Sequence, residues 1–329
     1  MTPELAGRLR DAGLDPQAVR DLISIALAED GAVDVTSEPI FTSEEISTGD
    51  FTAREHGVVA GLPVAEAVFA VLAERAGTGE VGSGHGEVGS GSGEVGSGSG
   101  AGEAGSGRGA APFRIEARVA DGDRVAPGDV LLTVTGPTRA LLRAERTVLN
   151  LLTHLSGIAS ATRRWVDAVE GTKARIRDTR KTLPGLRSLQ KYAVRCGGGV
   201  NHRMGLQDAA LVKDNHVAAA GSVTKAYEAI RARFPDLLVQ VECDTLEQVE
   251  EALGAGATAI LLDNMTDEQM TEAVGMAGNR AELEASGGLT VDRARDVAVT
   301  GVDYLAVGAL THSASALDIG LDFVPRSGS

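Results

Sequence analysis

Apolar residues recur at helical spacing over residues 16–30, where Val19, Leu22, Ile23 and Ala26 share one side and Pro16 stands near the start. Residues 63–75 (PVAEAVFAVLAER) make a second amphipathic helix, and 138–170 a long third one. Between the first two, residues 48–60 alternate loosely and read as strands punctuated by Gly57 and Gly61. Residues 113–136 (FRIEARVADGDRVAPGDVLLTVTG) read as strand, Asp-Gly turn, strand.

From residue 174 onward a different unit repeats. A short apolar run ends in a charged or glycine-rich tip, and a helix-patterned stretch follows. The tips are RIRDTRK, ALVKDN, VQVECD, AILLDN, ELEASGG and YLAVGALT; SVTKAYEAIRARF and TLEQVEEALGAGA are two of the helices. From Lys213 through Gly308 the tips fall roughly 20 to 30 residues apart, a βαβ spacing. This is the grammar of a parallel sheet. Six such strands suit a reduced α/β barrel better than a full eight-stranded one of ~250 residues, with an open doubly wound sheet as the alternative. The predicted fold is therefore α/β: an N-terminal α+β sheet-and-helix domain over 1–145, a barrel-like catalytic domain over 146–308, and a 309–329 segment packing back on the first.

Composition adds one break. From Glu80 to Gly109 the chain repeats EVGSGHG-like units. Glycine and serine with one acid per unit cannot bury a core, so 77–111 reads as a flexible tether inserted into the first domain. Within it, GHGEVG matches a dinucleotide-binding pattern by composition alone, with no strand before it and no helix after it, and His85 carries no predicted role.

The formal net charge is −15, which argues against a nucleic-acid or membrane-surface binder. Cys196 and Cys243 are the only cysteines, too few for a disulfide framework; both read as inert, in a reducing cytoplasm. No run approaches ~18 apolar residues, and no apolar segment follows a basic start. Against this acidity, residues 174–216 hold nine bases and three acids. Arg187, Lys191 and Arg195 fall at helical spacing and read as a solvated helix face. Arg180, Lys181, Arg203 and Lys213 stand at strand ends or tip loops with few acids nearby, and would repel one another without an anion between them. Glu242 and Asp263 each end an apolar strand, either to meet Mg²⁺ and substrate oxygens or as counter-ions to Lys181 and Lys213. Gln240 shares a face with Glu242. The glycine-rich ASGG and VGALT tips let backbone N–H groups approach phosphate oxygens.

The stretch DTRKTLPGLRSLQKYAVRCGGGVNHRMGLQDAALVKDNH, with ERTVLNLLTHLSGIA, VECDT, LLDNM, EASGG and VGALTHS, resembles the quinolinate phosphoribosyltransferase family, also called carboxylating nicotinate-nucleotide pyrophosphorylases. The likeness covers about 113–322 and, more loosely, 3–75. It implies transfer of phosphoribose from phosphoribosyl pyrophosphate to quinolinate, with loss of CO₂, in NAD biosynthesis. It also implies Mg²⁺ and a homodimer whose active site is shared across the interface. Carried over, Arg146 reaches across the dimer to a substrate carboxylate, and Arg180, His202, Arg203 and Lys213 hold the remaining quinolinate charge. Thr179 and Lys181 line the same pocket. Glu242 and Asp263 take the ribose hydroxyls and metal-bound pyrophosphate, and with Lys181 form the catalytic set. Ser286, Gly287, Gly288, Val307, Gly308 and Ala309 cradle the 5′-phosphate. Gln240 stands where a second acid is expected.

Rival readings are a Schiff-base lyase with Lys181 or Lys213 as nucleophile, a non-catalytic anion binder, and a nicotinate-using transferase. Deleting 78–109 should leave kcat and both KM values unchanged in a steady-state assay; loss of active protein would show that the tract does more than connect.

Overall fold

The computed structural model describes residues 1–31, 33–77 and 113–325. The Gly/Ser tract, its GHGEVG match and His85 lie outside them. Helices α1 (Pro3–Asp11) and α2 (Pro16–Glu29) both begin at proline after a capping side chain: Thr2 accepts from Leu5 N, and Asp15 from Gln17 N. A short α3 (Ser37–Ile40), strands β1 (Ile46–Ala53) and β2 (Gly57–Val58), and α4 (Leu62–Gly77) follow. Next come β3 (Arg114–Ala117), β4 (Arg124–Val125), β5 (Val130–Pro137) and the 31-residue α5 (Thr138–Ala168). The boundary expected after residue 145 falls inside this unbroken helix.

The remaining chain runs β6 (Arg175–Arg177), α6 (Arg187–Cys196), β7 (Ala210–Val212), α7 (Asp214–Ala220), α8 (Val223–Arg233), β8 (Val239–Cys243) and α9 (Leu246–Gly254). It continues through β9 (Ala259–Asp263), α10 (Asp267–Ala277), β10 (Glu282–Ser286), α11 (Ala294–Val299), β11 (Tyr304–Ala306), α12 (Ala309–His312) and β12 (Ile319–Phe323).

Two larger sheets result. One is antiparallel, ordered β12-β1-β5-β3, so the last strand returns to pair with the first. The other is parallel, ordered β6-β11-β10-β9-β8-β7. From β7 to β11 each new strand adds on the same side of the last. Right-handed crossovers then put the connecting helices on one face. A doubly wound sheet would reverse its order part-way, and this one does not. The order is that of a six-stranded barrel opened between its first two strands: β6 and β7 do not pair among the described residues, and β6 meets only a single parallel bridge, Arg177 to Val200, on that side.

The two faces of the parallel sheet have opposite chemistry. Ile176, Val212, Val239, Val241, Cys243, Ile260, Leu262, Leu283, Ala285 and Leu305 alternate onto one face and are all buried. The paired register puts Leu211, Gln240, Glu242, Leu261, Asp263, Glu284, Ser286, Ala306 and Arg177 on the other. The apolar face packs into the core; the polar face looks inward.

Helix α5 joins the two sheets. Its Ser156 and Ser160 hydroxyls accept from Ala60 N at 3.1 Å and Val58 N at 2.8 Å. On α5, Gly157 admits the segment before β12: a Cβ there would stand 2.1 Å from Ser315 O.

Candidate active site

The carboxyl ends of β8 and β9 are built alike. Thr245 and Thr266 cap the next helix, each accepting from the residue three on, Gln248 or Gln269, whose side chain reaches back. The acid of each strand, Glu242 or Asp263, stands three residues before its cap, so one local device presents both carboxylates at the same rim. The tips of β9 and β10 are locked together. Asn264 takes a left-handed φ of 54° and donates its N–H to Ser286 O at 2.9 Å. Gly287, at φ 94°, leaves no space for a side chain, since a Cβ would meet Asn264 Oδ1 at 2.2 Å.

These ends surround a cavity of about 370 Å³ lined by Thr179, Arg180, Lys181, His202, Arg203, Leu211, Lys213, Glu242, Leu261, Asp263, Glu284, Ser286 and Ala306. Lys213 Nζ meets Glu242 Oε2 at 2.6 Å; Asn264 Nδ2 donates to Asp263 Oδ2 at 2.8 Å. Arg180, Lys181 and Arg203 have no carboxylate partner among the described residues. The Nε atoms of Arg180 and Arg203 are buried and lack any acceptor. Burial, and then the charge of neighbouring Arg180, push the Arg203 guanidinium pKa down from its ordinary value. Three cations left without a carboxylate on one cavity repel one another, so the cavity is organised for an anion. Cavities of about 560 and 660 Å³ open elsewhere. In the first, Arg124 and Arg163 are already bound to Asp167.

The description "Quinolinate phosphoribosyl transferase, C-terminal domain" matches residues 158–322, and that of the N-terminal domain matches 92–156. A nicotinate-nucleotide pyrophosphorylase (carboxylating) of Mycobacterium leprae is 49% identical over 310 residues, 93% of this chain and 97% of that one. The chain belongs to the quinolinate phosphoribosyltransferase family. A quinolinate phosphoribosyltransferase (decarboxylating) of Nicotiana tabacum is 35% identical, covering 92% of this chain and 81% of its own. The solved NadC structure from Streptococcus pyogenes superposes with a TM-score of 0.80 at 36% identity, over 95% of this chain and 99% of that one.

Of the residues that the family resemblance assigns, Thr179, Arg180, Lys181, His202, Arg203, Lys213, Glu242, Asp263 and Ser286 line the one cavity. Gly287, Gly288, Val307, Gly308 and Ala309 do not line it but continue directly from the tips of β10 and β11; Gly308 lies against Thr179 and Lys181. Arg146 is elsewhere, exposed on α5 beside two other depressions that include Asp30 and Asn150. Burial holds the Cys196 and Cys243 thiols up at about 12, so neither is a thiolate at neutral pH.

Lys191 corrects the reading of α6 as a solvated face. Arg195 is exposed, but Lys191 and Asp178 are each 0% exposed and paired at 2.5 Å. Lys191 also donates to His202 O at 2.8 Å and Arg203 O at 3.1 Å, while Asp178 accepts from His202 N at 2.9 Å and from Asn201 Nδ2. Burial pushes the Asp178 pKa up and the Lys191 pKa down, each opposed by the partner's charge. The pair therefore clamps the backbone that presents His202 and Arg203. Two further participants went unread: Glu284, and Arg177, which pairs with it at 2.7 Å and stacks 3.3 Å over the Tyr304 ring.

Lys191→Met should lower unfolding free energy by about 3–5 kcal/mol in urea titration, because it strands a buried carboxylate. The double change with Asp178→Asn should recover part of that loss, and no recovery would deny that the two act as a pair.

Proposed function

We propose that this chain transfers phosphoribose from phosphoribosyl pyrophosphate to quinolinate, giving nicotinate mononucleotide, pyrophosphate and CO₂, through the cavity at the ends of β6 to β11. The observation that carries the reading is the convergence of Arg180, Lys181 and Arg203 on one cavity with no carboxylate partner among the described residues. A ring with two adjacent carboxylates answers such a cluster; arginine forks suit carboxylates and lysines supply point charge. A substrate with one carboxylate does not need so many cations.

Glu242 and Asp263 face the ribose and pyrophosphate. Two carboxylates on one rim fit a hard cation that takes its other ligands from substrate oxygens, so Mg²⁺ belongs here, held in part by phosphoribosyl pyrophosphate. Bound there, Mg²⁺ would offset the charge of the departing pyrophosphate. Backbone N–H groups at Ser286–Gly288 and Gly308–Ala309 receive the 5′-phosphate, while the Val307 N–H, donated to Arg177 O at 2.9 Å, holds the tip of β11 in place. The cavity brings the ring nitrogen to ribose C1, where the N–C bond forms as the C1–O bond to pyrophosphate breaks. Cations around the 2-carboxylate stabilise that anion and oppose its loss, so glycosylation comes first. The pyridinium then accepts the electron pair as the C–CO₂ bond breaks, and a solvent proton replaces the carboxylate.

The proposal includes a homodimer in the cytoplasm with Arg146 serving the partner's site. Its support is the exposed Arg146 side chain, outside its own chain's cavity and without a carboxylate partner among the described residues. No described helix is long and apolar enough to cross a membrane.

Comparing turnover of quinolinate and nicotinate tests the assignment: quinolinate should react with one CO₂ released per nucleotide, and nicotinate should not. Arg203→Ala should raise KM for quinolinate by about tenfold or more with a far smaller change for phosphoribosyl pyrophosphate; the reverse would undo the two substrate zones. Mixing inactive Arg146→Ala with inactive Lys181→Ala should restore about a quarter of wild-type activity, since half the dimers carry one intact shared site. No recovery would place each site within one chain.

A further inference from the structure

A buried polar chain runs beneath the cavity and bears on one of the cavity's own residues. Glu284 Oε2 accepts from Arg177 Nη1 at 2.7 Å, and Gln240 Nε2 lies 3.0 Å from the same oxygen. An oxygen already taking a guanidinium proton is an acceptor, so the Gln240 amide must show it the NH₂ end. That turns Gln240 Oε1 toward His202, whose Nε2 is 2.7 Å away. An amide oxygen has lone pairs and no hydrogen, so the ring nitrogen facing it carries the proton. Glu284 and Gln240 are 2% and 5% exposed. Reversing the amide would set its carbonyl against the Glu284 carboxylate, a buried mismatch that no solvent relieves.

We propose that Arg177, Glu284 and Gln240 are positioning residues that keep a proton on His202 Nε2, so that Nδ1 is the atom left facing the substrate and, on taking a second proton, donates it to a quinolinate carboxylate. Nδ1 makes no hydrogen bond among the described residues, and His202 lines the cavity. The backbone of His202 is held independently by Lys191 and Asp178. Backbone and ring are thus fixed from two directions, and Nδ1 has one approach to the substrate ring. The proton on Nε2 follows from the geometry alone; the contact with quinolinate rests on the function proposed above.

The test labels the histidines of the full chain with ¹⁵N and records long-range ¹H–¹⁵N correlations without substrate. His202→Asn identifies the His202 signals among the six histidines. The expected spectrum shows a proton on Nε2 that is protected from solvent exchange. A proton on Nδ1 with none on Nε2, or averaging between the two nitrogens, overturns the proposal whatever the substrate. In Gln240→Leu the protection should disappear, and KM for quinolinate should rise about tenfold while that for phosphoribosyl pyrophosphate moves less than about twofold. Gln240→Glu, whose carboxyl must hold a proton toward Glu284, keeps an accepting oxygen toward His202 and should restore both the signal and most of the quinolinate KM. An unchanged His202 signal in Gln240→Leu overturns the positioning role. A lost signal with only the phosphoribosyl pyrophosphate KM altered overturns the Nδ1 contact and places the fault in the assignment of substrates.

Discussion

Cations of like sign can be gathered in a half-dry cavity only if something stiffer than the side chains holds them there. In this chain the holding element is the ion pair of Lys191 and Asp178, both out of solvent. A buried pair of this kind adds little net stability, because desolvation consumes most of the Coulomb attraction. What it supplies is geometry. Lys191 spends its remaining protons on the carbonyls of His202 and Arg203, and Asp178 its remaining lone pairs on His202 N and Asn201. The loop that lines one side of the cavity is therefore anchored by charged hydrogen bonds it cannot exchange for water.

The opposite side is anchored differently. Glu242 and Asp263 come from strands buried on their helix-facing side, and the next helices begin at capping boxes of the same type. Here no buried charge is needed: apolar packing sets the strand, and the cap sets the turn. The cavity thus has a cationic wall fixed by electrostatics and an anionic rim fixed by secondary structure. Among the described residues the only ion pair across the two, Lys213 with Glu242, is partly exposed. An exposed pair is weak and can be exchanged for substrate contacts at small cost.

The strand tips were legible in the sequence because each is an apolar run cut short by a charge or glycine, a signal that survives without tertiary context. The same local rule failed at Lys191 and Glu284. Lys191 follows Arg187 and precedes Arg195 by four residues each, the spacing of a wet helix face. Only Asp178, thirteen residues earlier and brought close by β6 and α6, shows that this position is dry. Glu284 alternates with Glu282 in ELEAS, and both share one face of β10. The pattern cannot say that Glu284 turns inward beneath the cavity at 2% exposure while Glu282 is exposed at the strand's start. Strand order was legible only through the count: six tips favoured a barrel, in which the first strand lies beside the last, as β6 does beside β11.

Gln240 shows how a departure from an expected residue can be a solution. A second acid at this position would face the Glu284 carboxylate at about hydrogen-bond distance, and like charges that close force one of them to hold a proton. An amide avoids the conflict because it is donor at one end and acceptor at the other. It satisfies Glu284 and His202 together, at 3.0 and 2.7 Å, and adds no charge under a cavity whose task is to attract an anion. Glu284 is in turn tolerable in the interior because Arg177 neutralises it, and the Arg177 guanidinium is covered by the Tyr304 ring. Each group in the chain thus makes the next one admissible, from the aromatic ring through to the imidazole that opens on the cavity.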